Sequence, residues 1–163
     1  MPNHLDRPDF FTRHNGERAP LAFSQAEYDR RIAALRSIME KRDVSHVVLT
    51  SMHNIAYYSG FLYCAFGRPY ACVVSQTHCT VVSANIDGSQ PWRQSHCDSV
   101  IYTDWQRNNY WRAVGKLTDG AKRIGIERRA CDTASENAVG DCEQTPRCAE
   151  SEGVNREDNL EVK

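Results

Sequence analysis

Between positions 24 and 42 the apolar residues recur at helical spacing. Tyr28, Ile32, Leu35, Ile38 and Met39 form one stripe, and Asp29, Arg30, Arg31, Arg36 and Lys41 cover the other side. Ser24 and Glu27 stand at capping-box spacing, and Phe23 with Tyr28 fits a hydrophobic staple, so a helix opens at Ser24 and ends near Arg42. Val47, Val48, Leu49 and Thr50 form a short apolar run between polar residues, the pattern of a buried strand. Met52 to Ser59 reads as one or two helical turns stopped by Gly60. Tyr70 to Ser75 and Cys79 to Ala84 read as strands. The short link Gln76-Thr77-His78 makes them an antiparallel hairpin. Val100 to Tyr102 is another strand. Thr103 and Gln106 repeat the capping-box spacing and predict a helix through Tyr110, Trp111, Val114 and Leu117, closed by Asp119-Gly120. Arg123 to Glu127 is a final strand. This order predicts an α/β domain, a mixed β-sheet with flanking helices, over residues 23–127.

The two ends differ from this middle. Residues 1–22 are polar and punctuated by prolines and Asn15-Gly16, which reads as an N-terminal arm or loop. Residues 128–163 contain no Phe, Trp or Tyr and carry nine acids against five bases. Thr133 and Glu136 fit a short helix ended by Gly140, but such a composition predicts a disordered tail.

At 163 residues and 40% hydrophobic content, the chain suits a single domain plus tail. A net charge of −1 gives no broad basic field, so nucleic acid is not an expected partner. No apolar run is long enough to span a bilayer, and the opening MPNHLDRPDFF lacks the order of a signal peptide. Together these predict a cytoplasmic protein with no membrane partner. The seven cysteines include no CxxC pair, and the six histidines make no HxxxH or HExxH pattern, so neither a metal site nor a cofactor is expected. Cys64, Cys72 and Cys79, in or beside apolar runs, read as reduced and buried. Cys131, Cys142 and Cys148 in the tail leave room for a weaker redox or metal reading.

Candidate chemistry gathers between Asn54 and Arg93. Tyr57, Tyr58, Phe61, Tyr63 and Phe66 supply aromatic surface, and Gly60 and Gly67 permit unusual backbone. Arg68 precedes Pro69, which biases it to an extended form. An aromatic loop with one arginine suits a small anion. The competing reading is aromatic core with Arg68 as a surface charge, which residue types alone favour. Asp87 and Asp104 read more simply as turn and helix-start residues than as an acid/base pair. Cys64 with His53 is a loose nucleophile pairing at most.

The strings FSQAEY, NIAYYSGFLYCAFGRPYA, SANIDGSQPWR, YTDWQRNNYW and RIGIE, in this order, resemble the N-terminal domain of creatinases (creatine amidinohydrolases), within the creatinase, aminopeptidase P and prolidase family. The resemblance runs from about Arg13 to Glu127. It implies the ribonuclease H-like α/β fold of that domain and homodimers in which a larger pita-bread domain holds the catalytic histidine. It implies hydrolysis of creatine to sarcosine and urea without a metal. It also implies that Phe66 and Arg68 reach a partner's active site, with Arg68 at the carboxylate of creatine or a similar guanidino substrate. After Glu127 the resemblance ends and the catalytic domain is absent from these residues. A frameshift, altered splicing or an incomplete gene would each produce that pattern. The function expected is therefore that of a truncated creatinase-like protein, inactive alone but supplying substrate-binding and dimer contacts. The alternative is a non-catalytic interaction module that pairs with a full-length creatinase or aminopeptidase P-like partner.

Overall fold

The computed structural model describes residues 7–63 and 67–127, and the backbone of residues 160–162. Among these residues seven strands form one sheet: β1 (Phe10–Thr12), β2 (His46–Leu49), β3 (Ala71–Ser75), β4 (Cys79–Ala84), β5 (Asp98–Tyr102), β6 (Ile124–Glu127) and β7 (Leu160–Val162). Their spatial order is β1-β5-β4-β3-β2-β6-β7. The β3–β4 hairpin is antiparallel as expected, β2 pairs antiparallel with β3, and β2–β6 and β4–β5 are parallel. The mixed sheet inferred from the strand and helix patterns is therefore present.

Helix α1 (Gln25–Lys41) begins where the cap spacing places it, with the Ser24 hydroxyl accepting from the Glu27 amide at 3.3 Å. Tyr28, Ile32, Leu35 and Met39 are buried, and Phe23 meets Tyr28 edge-on at 6.1 Å. Only half of the capping box forms, because Arg30 and Arg31 occupy the Glu27 carboxylate at 2.8 and 2.9 Å. Arg31 departs from the polar face assigned to it and is only 7% exposed. It donates to the Tyr57 carbonyl and lies over the rings of Phe23 and Tyr57, so its charge is sandwiched between helices. Helix α2 (Met52–Ser59) is capped by Ser51 and ends at Gly60, whose φ is 80°. Helices α1 and α2 pack together, and α2 lies on β3 and β4.

Helix α3 (Asn109–Leu117) starts later than the Thr103–Gln106 spacing predicts. The Thr103 hydroxyl is engaged elsewhere, donating to the Pro8 and Asp9 carbonyls and accepting from the Asn109 side chain. It fastens the N-terminal arm instead of capping a helix.

That arm is more than a loop. β1 pairs antiparallel with β5, placing Phe10 opposite Tyr102. Arg18 donates to the carbonyls of Ser95, His96 and Cys97 and lies 4.1 Å over the Trp92 ring. Trp92 in turn donates to the Gly16 carbonyl at 3.0 Å.

At the other edge β7 pairs antiparallel with β6, so residues 160–162 return to the sheet despite the charged composition around them. This backbone pairing covers the sheet edge beside β6. The Thr133–Gly140 helix and the remainder of the expected disordered tail lie outside the described residues.

Candidate functional site

The loop from α2 to β3 carries the candidate chemistry. Gly60 turns the chain in the left-handed region, and the next residue, Phe61, is fully buried. Tyr63 follows and stacks on Tyr70 with ring centroids 3.9 Å apart. Phe66, like Cys64, lies outside the described residues. Gly67 has a φ of 70°, a second left-handed turn just before Arg68.

Arg68 projects from this turn with its side chain 45% exposed. Its guanidinium pairs with the Asp104 carboxylate. An acid of its own domain is thus its partner. Such an exposed pair contributes about 0–1 kcal/mol. The same geometry leaves the guanidinium available to a competing carboxylate, which it can bind through two parallel hydrogen bonds.

A tyrosine floor supports the loop. The Tyr102 hydroxyl donates to the Pro69 carbonyl at 3.1 Å, one residue past Arg68. The Tyr110 hydroxyl donates to the Tyr70 carbonyl at 3.3 Å, and the Tyr70 hydroxyl donates to Asp87. Burial pushes Tyr70, Tyr102 and Tyr110 well above the ordinary phenol range. The Tyr63 hydroxyl is pushed up to about 12 by burial and by the charge of Glu127. These phenols therefore stay neutral at physiological pH and act as fixed donors. Leu62 and Ile86, from the two loops that meet here, are large apolar residues left exposed.

The carboxylates are committed separately. Asp87 holds Tyr70 and Asp104 holds Arg68, so each has a positioning role. The Cys64–His53 pairing cannot be formed from described residues, because Cys64 is not among them. The exposed guanidinium offers a place where an anion can pair, and among the described residues of this loop no nucleophile stands beside an oriented base.

On the sheet face toward α1, the cysteines depart from expectation. Cys72 is a buried thiol as predicted, pushed up to about 12 by burial, but Cys79 is joined to Cys97 in a disulfide. The two bonded residues are 18 positions apart and meet because β4 and β5 run parallel in a register that brings their starts together. Cys72 lies beside them, its sulfur 3.6 Å from that of Cys79. The tail residues Cys131, Cys142 and Cys148 lie outside the described residues.

Comparison with known proteins bears on the fold and its relatives. The family described as the Creatinase/Prolidase N-terminal domain matches residues 31–143. A creatinase of Bacillus sp. (strain B-0618) is 46% identical over 118 residues, covering 70% of this chain and 29% of that enzyme. The chain thus spans less than a third of the length of this relative. A proline dipeptidase structure from Streptococcus pneumoniae TIGR4 superposes with a TM-score of 0.62 at 13% identity, over 72% of this chain and 87% of the other. The Creatinase/Prolidase N-terminal domain of an X-Pro dipeptidase from Streptococcus pyogenes gives 0.60 at 12% identity, over 69% and 92%. These two share the fold, whereas the Bacillus enzyme shares nearly half of its aligned residues. Among the described residues no helix is long and apolar enough to cross a membrane. By fold and by sequence, the chain belongs to the creatinase/prolidase N-terminal domain family.

Proposed function

We propose that this chain supplies the substrate-holding N-terminal domain of a creatinase-like enzyme and does not itself catalyse the reaction. The substrate class is creatine or a similar small guanidino carboxylate. Its hydrolysis adds water across a C–N bond and releases urea, with the general acid and base supplied by a catalytic domain beyond this fold. Arg68 holds the substrate carboxylate, and Phe66 walls the pocket against water. Both act across the interface of a homodimer, or of a dimer with a full-length relative, in the cytoplasm. The observation that carries this reading is the half-exposed Arg68, set on a fastened tyrosine floor and paired, among the described residues, with a surface acid.

The test is urea release from creatine. The purified chain alone is expected to release none, because removing a general base costs about 100-fold or more in rate. Residues 1–127 fused to the catalytic half of the Bacillus creatinase are expected to restore release. Turnover by the chain alone, or a correctly folded fusion that binds no creatine, contradicts the proposal.

A further inference from the structure

We propose that, once reduced, Cys72, Cys79 and Cys97 together hold one thiophilic divalent ion of the zinc type, and that the Cys79–Cys97 disulfide closes this site. Sheet register brings the three together. Cys79 lies opposite Val74, so it shares a face with Cys72, two residues back along β3. Thr80 lies opposite Asp98, so Cys97 flanks Cys79 just ahead of the parallel β4–β5 ladder. Strands β3 and β4 and the residue that leads into β5 thus bring one sulfur each together at this side of the sheet.

The three sulfurs all lie within 4.8 Å of one another. An ion with metal–sulfur bonds of about 2.3 Å holds its ligands roughly 3.8 Å apart at tetrahedral angles. The Cys72–Cys79 sulfur separation of 3.6 Å already fits, and breaking the disulfide frees Cys97 to move out to the same spacing. Cys72 and Cys97 are buried, while Cys79 is partly buried. Above them a cleft of about 310 Å³, lined by Asp29, Arg36, His78 and His96 as well as Cys79 and Cys97, gives an entry path. It also leaves a fourth coordination position open to water or an imidazole. Arg36, anchored at 2.8 Å to the Ser75 carbonyl, offsets the negative charge of a three-thiolate complex.

The chemistry balances in two steps. A thiol or phosphine reductant delivers two electrons, and with two protons the disulfide becomes two thiols. The ion then forms three metal–sulfur bonds and three protons pass to solvent. A reducing compartment favours the metal form and an oxidising one favours the disulfide.

The test uses the full chain with Cys64→Ser, Cys131→Ser, Cys142→Ser and Cys148→Ser, which leaves these three cysteines alone. It is reduced with a phosphine, desalted without oxygen and titrated with cadmium(II). The expected result is one cadmium per chain with a sulfur-to-cadmium charge-transfer band, and no such band in the oxidised chain. Cys72→Ala is expected to weaken binding more than about 100-fold, since losing a direct ligand costs more than losing its hydrogen-bond support. Cys79→Ala, at a less buried position, is expected to do the same and serves if Cys72→Ala does not fold. Absence of stoichiometric binding in the reduced parent overturns the proposal. So does binding that is unchanged by oxidation or by either folded variant.

Discussion

The Glu127 carboxylate accepts the Ser51 amide at 2.8 Å, tying the end of β6 to the first turn of α2. The same carboxylate accepts the Thr50 amide at 3.0 Å and the Asn54 side chain at 2.7 Å. Glu127 is buried and its charge faces the positive end of α2, the helix that leads into the Arg68 loop. Hydrogen bonds to charged groups contribute about 1.5–3 kcal/mol each, and their loss leaves buried donors unpaired. Glu127→Ala, which removes all three, is therefore expected to lower unfolding stability by at least about 3 kcal/mol, less than the simple sum because the bonds share one carboxylate. Glu127→Gln, which keeps acceptors but not charge, is expected to cost less. Urea denaturation with an unchanged m-value checks both.

Gly60 meets two constraints at once. Its φ of 80° disfavours a side chain, and an added Cβ would sit 3.0 Å from the Tyr28 hydroxyl. Gly60→Ala is expected to cost about 1–3 kcal/mol, the range for a strained left-handed position. Thermal unfolding measures this cost. Gly120→Ala shares the positive φ but meets no neighbour, so it is expected to cost less.

Acid sensitivity of α1 follows from Glu27. Its hydrogen bonds to Arg30 and Arg31 lower the carboxyl from 4.5 to about 2. The folded value lies below the unfolded one, so this contact stabilises the fold above about pH 4.5 and its contribution is lost as pH falls toward 2. NMR titration is expected to show the Glu27 carboxyl protonating near the bottom of that window. Glu27→Gln is expected to flatten the dependence of stability on pH across it.

Most of the domain is legible in local sequence patterns. The α1 stripe, the Gly60 stop and the β3–β4 hairpin are each signalled within a few residues, because neighbours in sequence make their contacts. The features that local patterns miss depend on distant pairing. β1 is only three residues long and is defined by β5, some ninety positions away. Thr103 looks like a helix cap until the Pro8 and Asp9 carbonyls take its hydroxyl. Arg31 sits on a nominally polar face, but Tyr57 and Phe23 turn that face inward. Likewise the Cys79–Cys97 bond needs the β4–β5 register, which no linear spacing encodes. At the candidate site, the position of Arg68 on the loop before β3 is legible, whereas its ion pair with Asp104 is not, because the two lie 36 positions apart and meet only through the fold.

In the proposed function Arg68 serves a substrate carboxylate and Asp104 only parks it. The most direct measurement compares Arg68→Lys and Asp104→Ala in the active fusion, reading KM for creatine and unfolding stability together. Lysine keeps the charge but loses the paired hydrogen bonds, so KM is expected to rise about tenfold or more. Asp104→Ala is expected to leave KM unchanged or lower it. Stability is expected to change by less than about 1 kcal/mol in both, as for an exposed pair. An Arg68→Lys fusion that binds creatine normally but unfolds more easily would contradict the account and make Arg68 a structural residue.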